Sequence, residues 1–449
     1  DTSASTSFPR GRKKVSIVSA KMEPQSKLGD RRKDTLVTRC VVIHTGKKKM
    51  TGPLDGVRIL DVTSVGYGPY ACQILGDYGA DIIKVEAREG DITRGIYPFR
   101  NEGMGHFFLM ANRNKRSIVL DLKAEQGQEA FLRLVESMDV LICSVRPAAM
   151  DRLGLGYEDC RAVNPNIIYV ALVGFGQSGP YAKRPAYDDI IQGVSGMAAM
   201  QGGRDGPPTF VNASVCDKIC SQVGAHATLA ALFGRQQNGK GQLVEVPMFE
   251  AMVGFNLIEH NSGQAFEPPL GPAGYERSMV EYRRPYATLD GYVCALPYNT
   301  KQWQAFFTMT NREDMLEDPR VIDPKIRSEK IGELYKLVAD LVKDWKTTDL
   351  LAALEEADIP HGEAANLGDL ANDEHMRAVG FFQTFEHPSE GRIKLTAPPM
   401  TFSETPAEIR RLPATLGEHS VEILREAGYS EARISELLKA GISVDGSAG

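Results

Sequence analysis

Six short apolar runs separated by longer, more polar stretches constrain this chain more than any other feature. They are VRILDV (57–62), DIIKVE (81–86), SIVLDL (117–122), DVLIC (139–143), NIIYVALV (166–173) and QLVEVPM (242–248). Helical patterns lie between them, among them residues 67–79 and AEQGQEAFLRLVESM (124–138). Strands alternating with helices predict an α/β fold, a parallel sheet with helices on its faces.

The pattern changes near residue 265. EPPLGPAG (267–274) reads as a turn-rich linker. Beyond it, YATLDGYVCALP (286–297) reads as a hairpin, followed by helical TKQWQAFFTM, EKIGELYKLVADLVKDW and TTDLLAALEEA. The expected organisation is a large domain beginning at 50–265, a smaller α+β domain over 280–375, and a return to the large domain over 376–440. That return carries strand-like GRIKLTAPP (391–399) and helical EHSVEILREAG (418–428).

Charge sets the first 50 residues apart. They hold 13 Lys/Arg against four Asp/Glu, or +9, whereas the remainder holds 39 against 54, or −15. Met50 directly precedes the first strand signal, so residues 1–49 are expected to lie outside the fold as a disordered basic extension. The expected location is cytoplasmic, or mitochondrial if that segment is a transit peptide. A basic tail can bind nucleic acid, but lying outside the fold it is given no such role and no nucleic-acid partner is expected; no apolar run approaches the roughly 20 residues that span a bilayer. Seven scattered cysteines suit a reducing compartment. Cys216 and Cys220 lack a second ligand pair and read as small core residues, so no metal site is expected.

Two segments carry candidate chemistry. Gly66-x-Gly68-x-x-Ala71 follows a strand and opens a helix, and Glu86 ends the next strand, as in a dinucleotide fingerprint. Thr63, Ser64 and Val65 lengthen the connection and Pro69 interrupts it, so NAD is one candidate among nucleotide-like ligands. The second segment runs from Gly174 to Asp217. A glycine-rich turn (Gly174, Gly176, Gly179) leads to Tyr187-Asp188, and Asp217 then stands before an apolar helical run. Such a carboxylate can be a nucleophile aimed at an electrophilic carbonyl, or simply the N-cap of its helix.

These pieces, with NRNKRSIVLDL (112–122), MDRLGLGYEDC (150–160), NGKGQLVEVPMFEA (238–251) and LGEHS (416–420), together resemble the class III CoA-transferases. That family includes formyl-CoA transferase, carnitine CoA-transferase and α-methylacyl-CoA racemase. The resemblance covers about residues 50–440 and displaces the NAD reading. It implies a Rossmann-like large domain and a small domain linked into an open ring, two rings interlocking as a homodimer.

The resemblance also implies a mechanism. Asp217 matches the catalytic aspartate, which attacks an acyl-CoA thioester to give an aspartyl-acyl anhydride; CoA passes to a carboxylic acid acceptor. An aspartate of ordinary pKa is ionised at pH 7 and needs no general base. Coenzyme A is then a substrate and no cofactor is permanently bound. Val65, Gly66 and Tyr67 match a turn beside the CoA, Leu120 and Lys123 an adenosine and phosphate wall, Arg152 a basic residue at the nucleotide end, and Tyr187 an aromatic beside the thioester. The alternative is a 2-methylacyl-CoA racemase, in which a histidine would be expected where Tyr187 stands. A catalytically silent CoA-binding protein is a third possibility, against which the retained Asp217 speaks. Three departures stand out. Ala87 replaces an arginine found in some members, with Arg88 one position later. PLGPAGYERS replaces a glycine run near 265–280. Arg277, Arg283 and Arg284 have no assigned role.

Overall fold

The computed structural model describes Met50 and residues 52–447. The expectation for residues 1–49 lies outside the described residues. Six strands, β1 (Arg58–Val62), β2 (Asp81–Glu86), β3 (Lys115–Val119), β4 (Val140–Cys143), β5 (Ile168–Val173) and β6 (Leu243–Pro247), form one sheet. All neighbours pair in parallel, in the order β3-β2-β1-β4-β5-β6. Leu60 stands opposite Ile83 on one side and Leu141 on the other.

Successive strand residues point to opposite faces, and both faces are apolar because both are covered. Leu60, Ile83 and Leu141 meet Phe131 and Leu134 of the Glu125–Val135 helix, with Ile423 and Leu437 from the C-terminal helices. Ile59, Ile82, Ile142 and Val170 meet Leu75 and Cys220 of the helices Tyr67–Asp77 and Val215–Asn238. Cys216 and Cys220 are fully buried in this second core.

The third strand runs two residues earlier and stops three residues sooner than its apolar pattern predicts. Lys115 is 2 % exposed because its ammonium donates to Asp61 Oδ2 (2.8 Å), Asn112 Oδ1 (2.8 Å) and Pro69 O (2.9 Å). A fully bonded cation can occupy a core strand position that hydrophobicity would not nominate. At Asp121 the backbone leaves the sheet and its N–H donates to Ile442 O (2.8 Å).

The outer edge of β3 is occupied by chain about 300 residues away. His419 N donates to Ser117 O (3.0 Å), Val119 N to Ser420 Oγ (3.2 Å), and Ser443 Oγ to Val119 O (2.7 Å). The helices Ser420–Glu426 and Glu431–Lys439 hold that segment against the sheet. The second of these helices is absent from the sequence-predicted elements, although Ser430 caps it, Glu431 opens it and Lys439 closes it.

A separate core surrounds Trp303, Phe306, Phe307, Leu334, Val338 and Leu350. Its helices Thr300–Met309, Ile331–Val342 and Thr347–Glu356 pack with an antiparallel sheet of β7 (Tyr286–Ala287), β8 (Tyr292–Ala295) and β9 (His361–Glu363). β10 (Phe382–His387) and β11 (Gly391–Thr396) then form an antiparallel hairpin.

Candidate active site

Strand order reverses between β1 and β4, and the crevice beyond the carboxyl ends of those strands is where open α/β sheets bind ligands. A cavity of about 340 Å³ lies there. Ser64–Tyr67 after β1 and Ser144 and Arg146 after β4 form its walls, with Gly174, Gln177, Tyr187 and Asp217 opposite.

Buried charge shapes the β1 wall. Lys84 donates to Thr63 O (2.7 Å) and Asp91 Oδ2 (3.0 Å), and Asp91 Oδ1 accepts from the N–H groups of Val65 (3.2 Å) and Thr93 (3.0 Å). Burial alone would raise the carboxyls of Asp61 and Asp91, but nearby lysines outweigh it and hold both below the ordinary range. Val65 sits at φ +70°, in the left-handed region, which a β-branched residue enters only under external constraint. The Asp91 bond is that constraint. Gly68, the second residue of the helix that follows, is required because any Cβ there would stand 2.2 Å from the Cβ of Thr63.

Asp217 is the third residue of its helix, so it is not the N-cap. Ser214 occupies the cap position and makes no side-chain cap bond. The capping carboxylate belongs to Asp188, whose Oδ1 accepts the Asp217 N–H (2.8 Å) while its Oδ2 accepts from Gln192 (2.7 Å). The Asp217 carboxylate therefore remains free of its own helix. It faces Gly66, where a Cβ would stand 2.6 Å from Oδ2. Burial, then the charges of Asp188 and Asp189, push its pKa up to about 7 against an opposing pull from Lys218. This differs from the expectation of an ordinary aspartate: burial and like charge make the Asp217 carboxylate hold its proton more readily.

Two more cavities adjoin the first. One, of about 630 Å³, shares Ser64 with it and is lined by Arg88, Leu120, Lys123 and Val145. The other, of about 320 Å³, shares Gly66 and Asp217. The sequence-nominated residues thus fall into groups. Asp217, Val65, Gly66, Tyr67 and Tyr187 meet at the first cavity, and Leu120 and Lys123 meet at the cavity beyond Ser64. Arg152 stands exposed at the end of the Pro147–Arg152 helix and lines none of the three. The Tyr67 ring is buried, its hydroxyl donating to Val246 O (2.9 Å), whereas Tyr187 is 70 % exposed.

Sequence reasoning missed Arg146 and Arg184, which bring positive charge to the first cavity, and the capping role of Asp188. The glycine turn is fixed from behind: Gly176 N donates to Glu250 Oε1 (2.9 Å) and Gln177 N to Glu245 Oε1 (3.0 Å). Glu86 is not available to a ribose. It is 4 % exposed and its two oxygens accept from Arg94 Nε and Nη2, each at 2.8 Å. Arg277 donates to Tyr335 Oη (2.8 Å), while Arg283 and Arg284 line a separate cavity beside β8 and β9. No helix among the described residues is long and apolar enough to cross a membrane.

The strand order and the carboxylate at its switch point define an α/β protein built to present one acidic side chain to a ligand. Residues 54–420 match the model of CoA-transferase family III, and the chain belongs to that family. It is similar to formyl-CoA:oxalate CoA-transferase of Streptomyces coelicolor, at 31 % identity over 87 % of this chain and 98 % of that protein. Succinyl-CoA:glutarate CoA-transferase of Mus musculus is 31 % identical over 87 % of this chain and 90 % of the relative. A CAIB/BAIF family protein from Brucella suis superposes with a TM-score of 0.72 at 30 % identity, covering 84 % of this chain and all of the other.

Proposed function

We propose that this protein transfers CoA from an acyl-CoA thioester to a carboxylic acid through an anhydride on Asp217. The observation that carries the reading is the Asp217 carboxylate itself, uncommitted to any cap and pressed against Gly66 at the junction of two cavities. An ionised Asp217 oxygen attacks the thioester carbonyl, the C–S bond breaks, and CoA leaves as thiolate. The thiolate then attacks the aspartyl carbonyl, releasing the first carboxylate and leaving aspartyl-CoA. An acceptor carboxylate reverses these steps and departs as its CoA ester, so atoms and charge balance at each stage.

Backbone amides at the start of the Tyr67–Asp77 helix have no intrahelical partner and suit a developing oxyanion. Arg88 and Lys123 suit the phosphates at the nucleotide end, with the pantetheine arm passing Ser64 toward Asp217. Racemisation needs a second acid/base group across the substrate. Among the described residues no histidine lines the first cavity, and Tyr187 stands in the place concerned. We further take 50–265 with 376–440 as the large domain and 280–375 as the small one, joined in an interlocked homodimer. Exposed Phe255, Ile258 and Leu270 supply apolar surface for such an interface.

The test incubates the protein with acyl-CoA donors and free carboxylates and identifies new CoA thioesters by mass spectrometry. Hydroxylamine added with the donor should convert Asp217 to a hydroxamate. Turnover by Asp217→Ala above a tenth of wild type would remove Asp217 as nucleophile.

A further inference from the structure

Asp217 and Gly66 belong to two cavities at once, and the two differ in chemistry. The first carries Arg146 and Arg184 and opens toward Lys123 by way of Ser64. The second is walled by Tyr70, Phe107, Met110, Phe381 and Met400. The Phe107 ring lies at its inner end, 3.3 Å from where a Gly66 Cβ would stand.

The second cavity's cations decide what it can accept. Arg113 is on its wall but is already spent. Its Nε and Nη2 donate to Asp77 at 2.9 and 2.7 Å, its Nη1 donates to Thr396 O at 2.6 Å, and its side chain is 4 % exposed. Lys218 is exposed and adjoins Asp217 in sequence. Among the described lining residues these are the only two cations. One carboxylate can therefore be met by a cation, at the Asp217 end, whereas a second carboxylate farther in would find only neutral donors such as Tyr70, Tyr78 and Gln222 among aromatic and thioether groups.

We infer that the Tyr70–Phe107–Met110–Phe381–Met400 cavity is the acyl and acceptor subsite, and that it selects monocarboxylic acids with apolar tails over dicarboxylic acids. The inference rests on Asp217 being the group that carries the acyl chain. It sets this chain apart from the oxalate and glutarate that the names of its two relatives contain. CoA enters on one side of the Asp217 carboxylate and the acyl tail lies on the other, so the acid can exchange without displacing the nucleotide.

The experiment uses the full chain with hexanoyl-CoA and succinyl-CoA as donors, and hexanoate, phenylacetate, oxalate and glutarate as acceptors. Hexanoate and phenylacetate should exceed both diacids in kcat/KM by about 100-fold, the scale at which an apolar pocket rejects an added polar group. Met110→Arg, at a position 39 % exposed and so tolerant of charge, should narrow that ratio at least tenfold by improving glutarate and weakening hexanoate. Preference for oxalate or glutarate in the wild type, or no change of ratio in Met110→Arg, would overturn the subsite. Absence of transfer to every acid would count against the Asp217 mechanism instead. Calorimetric titration with hexanoate and glutarate at pH 6, on the acid side of the raised Asp217 pKa so that its charge repels an anion less, then decides the cavity alone. Hexanoate binding abolished by Met110→Arg upholds it, and equal or tighter glutarate binding rejects it.

Discussion

The backbone N–H of Asp217 donates to Asp188 Oδ1 at 2.8 Å, so one carboxylate caps the helix turn on which the other is displayed. The cost of that arrangement is like charge, since Asp188 and Asp189 both help to raise the pKa of Asp217. The benefit is a nucleophile more basic than an ordinary aspartate that still ionises in the physiological range.

Activity should follow that ionisation. Attack needs the carboxylate, so kcat/KM is expected to rise with pH, reach half its limit near pH 7 and level off above pH 8. Removing the neighbouring charge in Asp188→Asn should move the rising limb to lower pH while an amide oxygen still caps the helix. Initial rates from pH 5 to 9 measure both. A profile already flat at pH 5 would show that Asp217 is not the titrating nucleophile.

Stability should move the opposite way. The folded pKa lies above the ordinary value of 3.8, so the native state binds the extra proton. No penalty exists well below pH 4; it grows between pH 4 and 7 and is complete above pH 7. Asp217→Asn should therefore melt above the wild type at pH 8, with a smaller gap at pH 5, while losing activity by about 10³-fold or more. A variant that melts lower at pH 8 would mean that the carboxylate stabilises the fold.

Gly66→Ala separates steric fit from backbone freedom. Gly66 has φ −112°, open to any residue, but its new Cβ would meet Asp217 Oδ2 at 2.6 Å. The protein should fold with a nearly unchanged melting point and lose about 10²-fold in kcat through displacement of the carboxylate. Wild-type turnover would place the reacting oxygen elsewhere.

Asp91→Ala breaks a buried pair and frees Lys84, whose side chain is 1 % exposed. Denaturant titration should show a loss of about 3–5 kcal/mol. The Val65 amide loses its acceptor at the same time, so the activity remaining per folded molecule should also fall. A cost below about 1 kcal/mol would imply that the network relaxes without it.

The sheet was legible because its strands are apolar on both faces: β2 runs over the same residues, Asp81–Glu86, in sequence pattern and structure. β3 was displaced because Lys115 and Arg116 read as surface residues, and only distant carboxylates make their burial possible. Asp217 could be nominated from its glycine-rich approach, yet its nucleophile and N-cap readings could not be separated. Their separation depends on Asp188, 29 residues earlier, which takes the capping bond. Arg146 and Arg184 were invisible for a related reason, since neither stands in a pattern and only the strand-order reversal brings their loops together. The helix Glu431–Lys439 is short and polar on most of its surface, with Ile434 and Leu437 as its only buried residues.

The occupied edge of β3 has a consequence for how the protein can fail. An edge strand with open N–H and C=O groups is a template for pairing with another chain. Here the groups at Ser117 and Val119 are taken by residues 419–443. During synthesis β3 leaves the ribosome some 300 residues before its cover, so the nascent sheet carries a sticky border for most of translation. A chain stopped near residue 410 would retain every group proposed here for chemistry and still present that border to its neighbours. Nonsense or frameshift changes in the C-terminal segment should therefore act through insolubility and dependence on chaperones, not through damage to the chemistry.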